Sequence, residues 1–490
     1  MSTPDPAPSV TLSREAAAPL AEQLAGRYAE QIRRRLLSPG SRLPSIRDGA
    51  RRHRVSASTV VAAYDRLLAL GLVEARRQRG YFVREPAAPA RGPAGTGPGP
   101  AEARRLLLPI DAATLMRGMF QAPDGPPMPG LGTLPAQWLD AAMLGQAVRR
   151  LGNAREIGAL GLQYGEPAGD ARLRAALVGL LAERGVAAEA GQIVTTVGAT
   201  HALDVVTRAL LHAGDSVLVD EPGWSVEYAR LAALGLRALP VPRREDGPDL
   251  AAMARLIEAQ APHERPRLYV TVSVLHNPTG GSLSLPVAHR LLQLAQQHDF
   301  CILEDDSYAF LAPPHRPRLA ALDGLERTFY VGGFSKILAP NWRVGFVAAP
   351  RARVDRLIDT KLLSTLTTPG LAEAALAHCL EQGWLRRHAE RIVLRLDAAR
   401  DRCVRLAQAH GCRFATPPNG LFGWVDVGCD TERLAQTLLD QGWWLAPGAL
   451  FHATPRPTNL MRVNFASGQD PAFWQALARA RDAEVPAHIS

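Results

Sequence analysis

With 490 residues, of which 47% are hydrophobic and 21% charged, the chain has the composition of a globular protein with length for two or more domains. No stretch approaches ~18 uninterrupted apolar residues, and the opening MSTPDPAPSV lacks a basic flank followed by an apolar core, so neither a membrane span nor a secretory signal is expected and the chain reads as cytoplasmic. The formal charge of +9 is unevenly placed: Met1 to Glu85 carries fifteen arginines against eight acids, the footprint expected of a nucleic-acid-binding module.

In chain order, helical periodicity in PLAEQLAGRYAEQIRRRLL leads into the turn SPGSRLPS. A helix from about Ile46 to His53 follows, then VSASTVVAAYDRLLALGLV, then the basic hairpin EARRQRGYFV. Two short helices in tight succession, the second opened by Ser56, Ser58 and Thr59, predict a helix-turn-helix, and the hairpin predicts a wing. Residues 86–104 are dominated by Pro and Gly and predict an exposed linker between a domain of residues 1–85 and one of residues 105–490. Beyond it, the apolar runs SVLVD (216–220), RLYVTVSVL (267–275), FCILED (300–305) and TFYVGG (328–333) alternate with helical stretches such as AHRLLQLAQQH (288–298). That alternation predicts a mostly parallel sheet covered on both faces, with its ligand at the strand ends. The five cysteines include no C-x-x-C pair, so free thiols are expected and neither disulfides nor a metal site.

Lysine usage is the sharpest single signal. Of 56 basic side chains only Lys336 and Lys361 are lysines. Arginine replaces lysine in charge and solubility, but its guanidinium (pKa above ~12) cannot act as a free amine, whereas a lysine can lose its proton and form an imine with an aldehyde. Charge alone does not decide whether Lys336 does so; its neighbours must.

Two resemblances follow from the motifs. The run PGSRLPSIRDGARRHRVSASTVVAAYDRLLALGLVEARRQRGYFV resembles the winged helix of GntR-type regulators. By position, Arg47 matches a phosphate-clamping arginine, Ser56, Ser58 and Thr59 fall at recognition-helix contacts, and Arg76, Arg77 and Arg79 lie in the wing. Ala57 stands where the family usually has an arginine, and Gln78 where it has a glycine. The series VGAT (197–200), DEPGW (220–224), HNPTG (276–280), EDDSY (304–308), GFSK (333–336), Arg343 and MRVNF (461–465) resembles the fold-type I aminotransferases, which hold pyridoxal 5′-phosphate (PLP). That resemblance implies an α/β domain with a smaller C-terminal subdomain.

It also implies a role for each matched residue. Lys336 forms the Schiff base, Asp305 pairs with the pyridine nitrogen, Tyr308 and Asn277 share the ring hydroxyl, and Trp224 stacks on the ring. Ala199, Thr200, Ser335 and Arg343 grip the phosphate, Tyr164 reaches the phosphate of a neighbouring subunit, and Arg462 clamps a substrate α-carboxylate. Gly333 and Ala199 stand where many relatives carry hydroxyls. Lys361 has no such company and is read as a surface residue.

A winged helix joined to such a domain resembles the MocR/GabR subfamily. The resemblance implies a homodimer that binds promoter DNA, with PLP as cofactor, and senses an amino compound or PLP. Two alternatives stay open. One is a working aminotransferase, converting 2-amino acids to 2-oxo acids, with a vestigial DNA-binding module. The other is a regulator for which PLP is the only effector.

Overall fold

The computed structural model of the chain describes residues 12, 18–33, 37, 40–76, 80–84, 128–439, 441–454 and 456–484. It divides into two compact units, Met1–Gly118 and Met119–Ser490. The expected linker at 86–104 and the wing residues Arg77, Gln78 and Arg79 lie outside the described residues.

The first unit is built from α1 (Leu20–Arg33), α2 (Ile46–His53), α3 (Ala57–Ala69) and the antiparallel pair β1 (Val73–Arg76) and β2 (Gly80–Val83). Helix α2 begins where the Ser45 side chain accepts the Asp48 N–H, and it ends where Arg54 turns left-handed at φ 53°. It is short and polar, and it crosses α3 closely because Gly49 has no side chain: a Cβ there would lie 3.1 Å from Val60 Cγ1. Leu24, Tyr28, Val60, Tyr64, Leu67, Val73 and Val83 form the core.

The second unit is organised around an eight-stranded sheet. Its strands are β3 (Ile193–Val197), β4 (Ser216–Glu221), β5 (Arg237–Arg244), β6 (Gly247–Pro248), β7 (Leu268–Thr271), β8 (Cys301–Asp305), β9 (Thr328–Gly333) and β10 (Val344–Ala348), in the order β3-β10-β9-β8-β7-β4-β5-β6. The pairs among β5, β4, β7, β8 and β9 are parallel, whereas β10 runs antiparallel to both β9 and β3. Val217, Leu218, Val219, Ile302, Leu303 and Phe329 are nearly or fully buried, as strands covered on both faces require. A smaller antiparallel sheet of β11 (Arg413–Phe414), β12 (Phe422–Asp426), β13 (Ala446–Pro447) and β14 (Leu460–Asn464) forms the C-terminal subdomain, reached through the long helix Trp384–Ala409.

The apolar run 267–275 does not remain a strand to its end. Strand β7 stops at Thr271, because the next residues make local bonds instead: Leu275 N–H donates to Ser282 Oγ at 3.1 Å and Leu283 N–H to the Ser273 carbonyl at 2.7 Å. This turn delivers Asn277 beside the sheet. Among the described residues the five cysteines are free, no cluster could hold a metal, and no helix is long and apolar enough to cross a membrane.

Candidate functional site

The site forms where the parallel strands end, the position an open α/β sheet offers a ligand. Strand β8 delivers Asp305 on its last residue, and Trp224, Asn277, His276 and Glu227 line a cavity with it. Asp305 accepts the Ser307 backbone N–H at 3.0 Å and the Ser307 hydroxyl at 2.5 Å. Burial nonetheless pushes its carboxyl up to about 6, the Ser307 bonds opposing the shift. The Tyr308 hydroxyl lies beside Asn277, and its ring meets Phe422 edge to face at 5.5 Å.

Lys336 lies three residues beyond the end of β9 and donates to the Gly132 carbonyl at 2.8 Å. Burial, reinforced by the Arg462 guanidinium and opposed by Asp305, holds its amine down to about 8. At neutral pH that leaves about 300 times more free amine than an ordinary lysine with its pKa near 10.5 has. Lysine at this position is thus chemically competent, which an arginine would not be.

Arg462, on β14, is buried, and burial lowers its guanidinium to about 10. One Nη donates to Asn277 Oδ1 at 2.9 Å and the other to the Gly130 carbonyl at 2.7 Å, while the guanidinium lies over the Phe422 ring at 4.4 Å and faces Phe451 at 5.2 Å. Among the described residues its Nε is buried without a hydrogen-bond partner. The guanidinium is therefore left with one N–H lacking an acceptor, and such an incompletely bonded cation suits an added acceptor such as a carboxylate.

An anion cradle lies alongside. Gly198, at φ 77°, ends β3 and opens the helix Ala199–Leu210, so the N–H groups of Ala199 and Thr200 fall in the first turn, where a helix has no acceptors of its own. Arg343 donates to Ser335 Oγ at 3.2 Å and to the Val197 carbonyl at 3.1 Å. It passes so close that a Cβ at Gly198 would sit 2.4 Å from its Nη2. The two departures from the family pattern face each other, since a Cβ on Gly333 would lie 3.3 Å from Ala199 Cβ. One small residue accommodates the other, and both hydroxyls are lost together.

Tyr164 does not converge on this pocket; it is 83% exposed. In the N-terminal unit Arg47, Ser56 and Ser58 are exposed and Thr59 is half-buried. Ser56 caps α3 by accepting the Thr59 N–H at 3.1 Å, and its hydroxyl also lies 2.8 Å from that of Ser58 and 2.7 Å from that of Thr59. Arg76 pairs with Glu74 at 2.7 Å and lies over Phe82.

The expectation that Lys361 lies on the surface is wrong. It is fully buried, because the helix Val354–Thr365 sets it against β3, where it donates weakly to Thr368 Oγ1 at 3.4 Å and Thr195 Oγ1 at 3.5 Å. Sequence reasoning also missed the strap of residues 128–134, whose carbonyls meet Lys336 and Arg462, and the rings of Phe422 and Phe451 around Arg462. A backbone carbonyl has no sequence signature, so only the folded chain reveals it.

Residues 139–479 match the family "Aminotransferase class I and II", and residues 20–83 match "Bacterial regulatory proteins, gntR family". The chain is 30% identical over 460 residues to the probable rhizopine catabolism regulatory protein MocR of Rhizobium meliloti, covering 91% of this chain and 88% of that one. It is 30% identical over 322 residues to a 2-aminoadipate transaminase of Thermus thermophilus, covering 64% and 79% of the two chains. Among solved structures, the α-aminoadipate aminotransferase LysN of Thermus thermophilus, complexed with N-(5′-phosphopyridoxyl)-L-leucine, superposes with a TM-score of 0.68 at 26% identity, covering 79% of this chain and 97% of that one.

Proposed function

From the premise that the chain belongs to the class I and II aminotransferase family and carries a gntR-family domain at its N-terminal end, we propose that it is a MocR-type transcriptional regulator. In this reading residues 1–85 bind promoter DNA, residues 105–490 hold PLP and sense an amino compound, and residues 86–104 join the two. The reading places the protein in the cytoplasm, with DNA.

PLP is the cofactor, and the pocket fits it. A buried carboxylate, Asp305, whose hydrogen bonds among the described residues come from Ser307, suits a protonated pyridine nitrogen. In this reading Trp224 covers the ring, Tyr308 and Asn277 take its hydroxyl, and the Ala199–Thr200 turn with Ser335 and Arg343 holds its phosphate, which the shared cavity lining of Trp224 and Asn277 and the Arg343–Ser335 bond support. When bound, PLP supplies an aldehyde that condenses with amines and a ring that withdraws electrons from the carbon bearing the amine. The chain's own residues do the rest. Lys336 offers a readily deprotonated amine, Asp305 keeps positive charge on the ring nitrogen, and Arg462 orients a carboxylate through its Nε edge.

The observation that carries the proposal is that a complete set of amine-recognising groups, Lys336, Asp305, Asn277 and Arg462, stands on one chain with an exposed recognition helix. A homodimer is part of the reading. Leu162, Tyr164, Leu363 and Leu366 are all more than half exposed, and their segments meet, a Cβ on Gly165 falling 3.9 Å from Thr367. Such a patch suits a second copy of the chain.

The buried, unpartnered Nε of Arg462 also favours a second reading, an active aminotransferase, because a domain that merely stored the cofactor has little use for it. One titration separates the two. Candidate amino acids and ω-amino acids are added to the PLP-loaded protein while cofactor absorbance, operator affinity and oxo-acid production are followed together. The regulator reading expects coupled spectral and DNA-affinity changes with little turnover. Rapid turnover at unchanged DNA affinity rejects it in favour of the enzyme. If only free PLP alters DNA affinity, PLP itself is the effector.

A further inference from the structure

The second lysine asks for a reason of its own. In a chain whose basic side chains are otherwise arginines apart from Lys336, Lys361 is fully buried, and its two hydrogen bonds are long. Its partners Thr195 and Thr368 bond to each other at 3.0 Å. Glu373, also buried, has one carboxylate oxygen accepting the Asp170 N–H at 2.7 Å, while among the described residues the other oxygen is buried without a hydrogen-bond partner. Its charge acts favourably on Lys361. A buried ammonium and a buried carboxylate, each incompletely bonded, cost stability that a methionine and a leucine would not. Something other than packing is served by them.

The groups that touch this cluster show what it is. Thr195 lies on β3, three residues before Gly198 and the Ala199–Thr200 turn. Its N–H donates to the Ala168 carbonyl at 2.9 Å, and its hydroxyl occupies the space that a Cβ on Gly169 would need. Thr368 is equally near, its carbonyl 4.0 Å from where a Cβ on Gly165 would stand. Arg174 completes the lashing, reaching Glu166 at 2.7 Å and the Gly169 carbonyl at 3.1 Å. Every residue from Gly165 to Asp170 except Pro167 is thus held by, or packed on, this group. That loop follows Tyr164 directly.

We infer that Lys361 is a positioning residue which, with Glu373, Thr195 and Thr368, ties the loop bearing Tyr164 to the strand that ends in the phosphate cradle, so that one subunit's own grip on its phosphate and its grip on the partner's are set by a single buried cluster. The inference rests on the proposed PLP-binding homodimer. Arginine would not serve equally here, because the hydroxyls of Thr195 and Thr368 cannot satisfy the five N–H donors of a planar fork.

The test measures the rate at which PLP leaves the full-length holoprotein, by cofactor absorbance after dilution into a PLP scavenger, for wild type, Tyr164→Phe, Lys361→Met and the double variant. Lys361→Met is expected to release PLP roughly tenfold faster, as is Tyr164→Phe, with the double variant no faster than the faster single. Effects that multiply in the double variant, or an unchanged rate in Lys361→Met, overturn the inference. If Lys361→Met does not fold, Glu373→Gln keeps the shape and removes the compensating charge. It is then read in the same cycle with Tyr164→Phe, with the same expected and overturning results. Failure of the inference is distinguishable from failure of its premise. An altered Tyr164→Phe beside a normal Lys361→Met leaves the trans-acting tyrosine intact and removes only Lys361's role. Wild-type protein that binds no PLP, or Tyr164→Phe with wild-type release, overturns both.

Discussion

At the scale of single residues, the site separates groups by what burial does to them. Lys336 and Arg462 are both pushed toward neutrality by desolvation, yet only the lysine is moved near physiological pH, so one becomes a reagent and the other remains a charge. Removing that charge gives a prediction specific to ligand class. Arg462→Ala is expected to weaken binding of α-amino acids about 10- to 100-fold, the loss of hydrogen bonds to a charged group at ~1.5–3 kcal/mol, while a primary amine without a carboxylate is unaffected. Equal losses for both ligands, measured by spectral titration, would show that Arg462 supports the fold of the pocket instead of recognising a carboxylate. The same burial gives a pH prediction for the protein stripped of PLP. Lys336 and Lys361 release protons at about 8 in the fold but near 10.5 when unfolded, so the unfolded chain holds more protons above pH 8 and stability rises with pH. The clean window is pH 8 to 9, because burial raises the thiols of Cys379 and Cys412 from 9.0 to about 11, and they act in the opposite sense above 9. Denaturation midpoints should climb across that window, and the climb should flatten in Lys336→Met.

At the scale of elements, what could be read from the sequence is what local chemistry determines. Helix α2 spans Ile46–His53 as expected because Ser45 caps one end and the turn at Arg54 closes the other, and β9 covers the whole of TFYVGG because every residue in it is buried. What was illegible depends on tertiary approach. The seat of Lys361 is created by a helix landing on β3, and the strap carbonyls of Gly130 and Gly132 acquire meaning only beside Arg462 and Lys336. Helix α3 lies between these cases, since its opening serines read as DNA contacts while one of them also caps the helix. The two roles separate by mutation. Ser56→Ala should destabilise the N-terminal unit by about 1 kcal/mol through the lost cap, seen as a lower melting midpoint. Ser58→Ala should leave stability unchanged and alter preference among operator sequences. Arg47, exposed on α2, should behave differently again: Arg47→Ala weakens all sequences alike and flattens the dependence of log affinity on log salt by ~0.9. A salt slope unchanged in Arg47→Ala would remove it from the phosphate contacts.

At the scale of the whole molecule, the proposed regulator needs an energetic link between an amine pocket and a DNA-binding unit that are separate compact bodies in one chain. The strap is a physical starting point, because it enters the second unit at its N-terminal side and is anchored to the C-terminal subdomain. Gly130 N–H donates to the Trp444 carbonyl and Asn464 N–H to the Pro129 carbonyl, each at 2.8 Å. In the proposed reading, a carboxylate held by Arg462 would compete with the Gly130 carbonyl, which already accepts from one Nη, so ligand binding and strap position would be alternatives at that donor. Tight anchoring is built in, since a Cβ on Gly130 would overlap the Leu445 backbone at 2.4 Å. If displacing the strap is what distinguishes the DNA-competent state from the other, the amine must bind the two states with affinities differing by ~1–3 kcal/mol, and operator DNA must change amine affinity by the same factor. Gly130→Ala should then mimic the ligand, shifting operator affinity in the direction the amine shifts it and leaving little further response to the amine. The measurement is a two-way titration on full-length protein, operator affinity against amine and amine affinity against operator. Equal factors in the two directions, both collapsing toward one in Gly130→Ala, are the expected result; a Gly130→Ala protein that folds and keeps the full wild-type factor would show that the signal leaves the pocket by another route.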